Sequence, residues 1–430
     1  MTPNPTESVV LTITIQLVVI LLAARGLGGI FRRIGQPQVC GEIAAGLLLG
    51  PSVFGVFLPR VQHLVFNPSG AMYLDILSQV GLIFVMFLIG LDFDFGYLRG
   101  SRRAACSISA AGIVVPFVLG LLIGPVIWKQ MDLQVDLRAF VLFFATALSI
   151  TAMPVLGRIL IEFNINRTRL GALAISAAAM EDAVGWLLLA MVSAIVTSHL
   201  QPLRLFLAAL EAVVYLLAMI FVIRPLMLKW IRWAMPEESG ELSWNALAQL
   251  IAFFLTSAAI TNLIGIFSLF GAFVMGAILY DQKLFRDAVN SRMRDFVSVF
   301  FLPVFFTYTG LRTDIHSAGG ASIWLVCLVV VLAASVGKVG ACASVAKLSG
   351  LSWRDACSIG VMMNTRGLME LVVLNAGYDL GVIPKPMFFV LVIMAVVTTY
   401  ATAPILRRLI QGVGPQAQFE SSALAERAAS

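Results

Sequence analysis

The 430 residues are 60% hydrophobic and only 12% charged, whereas soluble domains carry about a quarter charged residues. That apolar excess excludes a soluble globule and needs lipid or a helical bundle to cover it. The formal charge of +6 does not indicate a nucleic-acid surface: Lys and Arg cluster in short polar segments between apolar runs, where they set membrane orientation.

In chain order, Met1 to Ser8 holds Glu7 and no Lys or Arg. It lacks the basic start of a signal peptide, so the first apolar stretch reads as a retained helix. Runs near the spanning length of about 20 residues fall at 8–24, 38–58, 74–91, 105–128, 138–160, 169–197, 203–231, 243–263, 265–281, 294–310, 321–346, 355–378 and 386–406. Thirteen spans put the termini on opposite sides. Alternate loops plus the C-terminal tail then hold twenty-one basic residues and the other loops six. The positive-inside rule predicts the N-terminus outside and the C-terminus in the cytoplasm. Two basic residues, Lys338 and Arg366, remain inside spans. The tail after Arg408, rich in Gly, Pro, Gln, Ala and Ser, reads as disordered.

The five cysteines lie in or beside apolar stretches, are odd in number and show no CxxC spacing, so they read as apolar packing residues. His63, His199 and His316 fall in predicted loops, which argues against a histidine metal site. No HExxH or GxSxG motif occurs, so the sequence does not point to an enzyme.

Two spans are interrupted by polar residues. The fifth carries Ser149, Thr151 and Pro154 near its middle; the twelfth carries Asn364, Thr365, Arg366 and Gly367. With the seventh span as a link, these are the fifth members of two six-helix halves. Matching discontinuous helices are the pattern of inverted-repeat secondary transporters, and they point to the binding site.

Glu181 and Asp182 sit in SAAAMEDAVGWLLLAMVSAIV, flanked by small and apolar residues. A charge at the bilayer centre costs about 2.5–3.5 kcal/mol on insertion scales, so adjacent carboxylates there imply function. On a helix they point about 100° apart. Carboxylates withdrawn from water hold protons more tightly, and a nearby cation displaces them. Such a group binds H⁺ or a metal cation in competition, which suffices for antiport if access alternates. Hard cations take oxygen ligands; Asp182, the hydroxyls of Thr151 or Ser149, and carbonyls freed by a broken helix could supply them. Lys338 needs a buried carboxylate partner, and Glu181 is the obvious one. Arg366 and Glu370, four residues apart, are placed to pair directly and to neutralise half-helix ends. Glu42 reads as a solvated cap, and Asp92 and Asp94 as solvated residues ending the third span. Asn375 and Asp379, towards the end of the twelfth span, are less telling.

GEIAAGLLLGPSVFG, LSQVGLIFVMFLIGLDFD, SITAMPVLGRIL, AAAMEDAVGWLLLA and MNTRGLMELVVLNAGYDLGVI resemble segments of the monovalent cation:proton antiporter superfamily, in its second branch of Kef-type and plant cation/proton exchangers. The resemblance implies an all-α membrane fold of about thirteen helices in two inverted six-helix repeats with crossed discontinuous helices, usually a homodimer working by an elevator motion. The corresponding organisation is a dimer domain at 1–103 and 239–317, a core transport domain at 104–200 and 318–411, a linker helix at 201–238, and a disordered cytoplasmic tail at 412–430. It implies exchange of Na⁺ or K⁺ for H⁺ in the bacterial inner membrane, with no cofactor, membrane lipid as surroundings and no nucleic-acid partner. The ion-binding aspartate of the family falls on Asp182 and its core lysine on Lys338. At the preceding position an acid accompanies electrogenic exchange and Asn electroneutral exchange; Glu181 departs from both patterns in length but is titratable. The resemblance does not extend to a Kef-type nucleotide-binding domain, so none is expected and glutathione-gated efflux is disfavoured. A cation channel on the same scaffold and a proton-coupled carrier of an organic solute are the alternatives, the latter disfavoured by an acidic site.

Overall fold

The computed structural model describes residues 5–66, 68–92, 102–163, 165, 168–197, 202–235, 242–265, 267–314 and 322–410. Every regular element among them is helical. In chain order these are α1 (Pro5–Arg33), α2 (Gln38–Leu49), α3 (Phe54–Phe57), α4 (Pro59–Val65), α5 (Pro68–Asp92), α6 (Arg102–Gln130), α7 (Leu137–Ser149), α8 (Met153–Glu162), α9 (Arg169–Thr197), α10 (Pro202–Ala218) and α11 (Arg224–Ala234). They continue with α12 (Trp244–Leu263), α13 (Ser268–Ala277), α14 (Lys283–Phe296), α15 (Leu302–Leu311), α16 (Ser322–Leu348), α17 (Trp353–Met363), α18 (Leu368–Asp379) and α19 (Lys385–Ile410). Wide π-helical turns at Met219–Ile223 and Val297–Phe301 join α10 to α11 and α14 to α15.

Each of the thirteen apolar stretches placed from sequence contains helix. Ten helical stretches among the described residues are long and apolar enough to cross a bilayer. The fifth and twelfth spans are each two half-helices, α7 with α8 and α17 with α18. Elsewhere helices outrun the apolar signal. The first runs on to Arg33, with Arg32 and Arg33 in its last turn, where cations complement the helix dipole. α14 is polar overall but buries Phe285, Ala288, Val289 and Met293 along one stripe, a helical spacing that hydropathy averaging conceals.

The chain separates into two compact units. One comprises residues 1–25, 48–95 and 186–311; within it α5 and α13 pack backbone to backbone. A Cβ at Gly90 would lie 2.1 Å from the Phe273 carbonyl oxygen, and one at Gly276 would lie 2.2 Å from that of Phe87. Only glycine permits that approach. The other unit comprises residues 26–47, 96–185 and 312–430. Its core draws Ile108 from α6, Leu156 from α8, Ala177 from α9, Cys342 from α16, Met362 from α17 and Leu406 from α19. Residues 26–47, expected with the dimer domain, group with this second unit, and 201–238, expected as a separate link, groups within the first. The segment 412–430, read as a disordered tail, lies outside the described residues.

Three smaller expectations change. Glu42 is buried inside α2, not a solvated cap, and accepts a hydrogen bond from Gln38 Nε2 at 2.7 Å. Asp92 pairs with Arg294 and accepts from Asn290 Nδ2 at 3.0 Å rather than facing water alone. His63 lies in α4, not in a loop. Asp94, His199 and His316 lie outside the described residues.

Candidate functional site

The site assembles where the two broken helices meet. α7 begins on Asp136, whose carboxylate accepts from the Ala139 amide at 2.8 Å, and stops at Ser149, because Ile150 turns extended (φ −83°, ψ 142°). A proline at 154 has no N–H to return to residue 150, so an uninterrupted helix would lose a bond there. On the partner, α17 ends at Met363, and Gly367 is extended (φ 164°) before α18 begins. Any residue can adopt that backbone; glycine is required for space. A Cβ at Gly367 would lie 2.7 Å from Val155 Cγ2. The breaks bond to each other: the Ala152 amide donates to the Thr365 carbonyl at 2.9 Å, and the Thr151 hydroxyl to that of Met363 at 2.6 Å. Irregular backbone at membrane depth is tolerable only where protein surrounds it, and Trp353–Asp379 is 94% buried over its apolar window.

A helix end leaves its last four carbonyls without helical partners, and those of α7 are all covered by side chains. The Ser149 hydroxyl donates to Thr146 O at 2.8 Å. Arg366 donates to Ala147 O through Nη1 and to Leu148 O through Nη2, the latter at 2.6 Å. Lys338 Nζ donates to Ser149 O. Two cations therefore sit at the negative end of the α7 dipole.

Lys338 and Glu181 are fully buried. The ammonium donates to Glu181 Oε2 at 2.6 Å and to the Gly112 carbonyl at 2.7 Å. With Ser149 O, all three of its protons are used. Glu181 Oε1, also buried, has no hydrogen-bond partner among the described residues. Thr151 lies beside the Glu181 carboxyl, although its proton goes to Met363.

Asp182 is 3% exposed and accepts from the Met153 amide, the first N–H of α8. A half-helix N-terminus is where negative charge is favoured. Its Oδ1 has no partner among the described residues, so one lone-pair face is uncommitted. At the other half-helix start, Glu370 lies within the first turn of α18 itself. It stands 3.7 Å from Arg366 Nε, with both residues buried and neither Glu370 oxygen hydrogen-bonded among the described residues.

The structure thus brings Glu181, Lys338 and Ser149 into one hydrogen-bonded group, sets Thr151 on the extended turn beside it, and joins Asp182 to the facing half-helix. It pairs Arg366 with Glu370 and gives Arg366 the α7 carbonyls as well. Sequence reasoning missed Thr399 of α19, whose hydroxyl accepts from the Arg366 amide and donates to the Arg366 carbonyl, each at 2.8 Å. It also missed Gly112; threonines and glycines are too common in membrane helices to stand out without knowing their partners. Asn375 and Asp379 bind a basic residue that sequence placed in a loop: Arg312 donates to Asn375 Oδ1 at 3.0 Å and pairs with Asp379.

The family model described as sodium/hydrogen exchanger, transmembrane, matches residues 17–408. The chain belongs to that family. Among its exchanger relatives is the Na⁺/H⁺ antiporter NhaS4 of Synechocystis, 36% identical over 403 residues, covering 93% of this chain and 97% of the relative. Cation/H⁺ antiporter 17 of Arabidopsis thaliana is 36% identical over 404 residues, covering 94% of this chain but 49% of that protein. The chain therefore spans nearly all of the cyanobacterial exchanger and about half of the plant one. Among solved structures, the sodium proton antiporter MjNhaP1 of Methanocaldococcus jannaschii at pH 8 shares the fold, with a TM-score of 0.63 at 16% identity over 94% of this chain and 98% of that one.

Proposed function

We propose that the chain exchanges a monovalent cation, Na⁺ or K⁺, for H⁺, with the two competing for Asp182. The observation that carries this reading is the contrast between neighbours. Glu181 is neutralised by a lysine at 2.6 Å, whereas Asp182 is buried, accepts from a backbone amide and has one oxygen without a hydrogen-bond partner among the described residues. A proton or a bare cation can satisfy that oxygen, not both at once. The Thr151 and Ser149 hydroxyls give their protons to carbonyls, so their oxygen lone pairs remain available to a hard cation. Lys338, Arg366 and Glu370 hold the surrounding charge in balance as cargo changes. No resident cofactor enters this scheme; the ion is cargo.

Alternating access would come from an elevator motion of the unit that contains the site, with the other unit forming a homodimer in the bacterial inner membrane, N-terminus outside and C-terminus in the cytoplasm. Membership of the exchanger family supports the exchange. The test is proteoliposome exchange with Na⁺, K⁺ and Li⁺, with and without an imposed membrane potential. Cation-dependent proton movement is expected in the native protein and its abolition in Asp182→Asn. Retained exchange in that variant sinks the assignment.

A further inference from the structure

Lys338 needs an acceptor from α6, and two features of that helix supply one. Pro116 lies inside α6, four residues after Gly112. Its position is the one whose N–H would bond the Gly112 carbonyl in a regular helix, and proline has no N–H. The Gly112 carbonyl is thus left without a helical partner in a buried place, and it is this oxygen that accepts from Lys338 Nζ at 2.7 Å. Gly112 also lacks a side chain where none would fit. A Cβ there would stand 2.1 Å from Glu181 Oε1 and 2.8 Å from Cys342 Sγ.

We propose that Gly112 and Pro116 form a socket in α6 that seats both ends of the Lys338–Glu181 pair, the freed carbonyl taking the ammonium and the missing Cβ admitting the longer glutamate. Both are positioning residues, acting through the pair. The pairing explains how Glu serves at position 181: its extra methylene, about 1.5 Å of reach, occupies the notch that glycine leaves. Among the described residues, the other titratable or charged groups around the pair are Asp182 on α9, Cys342 on α16, Arg366 beyond α17 and Glu370 on α18. The functional consequence rests on the exchange reading above; the geometric one does not.

The experiment is a double-mutant cycle between positions 112 and 181 in a Cys342→Ala background, which removes the second obstacle to a Cβ. Exchange rate against pH is measured in proteoliposomes and thermal unfolding in detergent, with Asp182→Asn as the zero-exchange reference. Gly112→Ala is expected to lower exchange about tenfold and move the pH profile, and Gly112→Ala with Glu181→Asp to return to within about twofold of Glu181→Asp alone. Equal losses from Gly112→Ala in the Glu and Asp backgrounds overturn the notch. Pro116→Ala restores an N–H to the Gly112 carbonyl and should hold or raise thermal stability, yet move the pH profile. An unmoved profile overturns the carbonyl's role. If Asp182→Asn retains exchange, the functional reading fails. The socket is then judged by the thermal cycle alone, in which Gly112→Ala should destabilise the Glu protein and spare the Asp one.

Discussion

Lys338 spends three protons on three oxygens, two of them backbone carbonyls. Glutamine at this position carries two donors and no charge, so it satisfies at most two of the three and leaves Glu181 without its counter-ion. Lys338→Gln is expected to change the pH profile or the charge moved per cycle, read from exchange under a clamped membrane potential. An unchanged profile and stoichiometry would leave the lysine a purely structural tie. Glu181, Asp182 and Lys338 were legible in the sequence because a charge inside an apolar run is costly and stands out against it. Glu42 was misread for the complementary reason. Near the start of an apolar run a carboxylate resembles a solvated cap, and only packing reveals its burial beside Gln38.

The half-helix is the unit on which the site is built. α7 ends in buried protein, where Arg366 serves as its cap while pairing with Glu370. Arg366→Leu would orphan the Ala147 and Leu148 carbonyls and leave Glu370 as a lone buried acid. A loss of about 3–5 kcal/mol is expected, seen as a lower unfolding temperature in detergent. Arg366→Leu with Glu370→Leu should recover part of it, because the uncompensated acid is gone while the orphaned carbonyls remain. A double variant as unstable as the single would place the whole effect on the carbonyls. The interruptions in the fifth and twelfth spans were readable from Pro154 and from the NTRG run. The extent of α1 and the helix α14 were not, since hydropathy marks where lipid lies rather than where backbone hydrogen bonds stop. Nor could sequence show that the Ala152 amide bonds to the Thr365 carbonyl, a contact spanning more than two hundred positions.

At the scale of the whole chain, composition established a membrane protein and each of the thirteen apolar stretches contains helix, while the grouping of residues 26–47 needed tertiary contacts. The basic-residue bias makes orientation testable. A reporter active only in the cytoplasm, fused after Ile410, is expected to be active, and one fused ahead of Pro5 silent; the reverse pattern would invert the topology. The ammonium of Lys338 has a wider consequence. It belongs to α16 and holds acceptors on α6, α7 and α9, so one nitrogen staples four helices. A neutral amine keeps two N–H donors for these three acceptors, so a proton lost to water rather than to Glu181 cuts one of those ties. Gain or loss of charge at this atom is therefore mechanical as well as electrical: it alters at one stroke how many strands of the knot are fastened, with no relay of side chains in between.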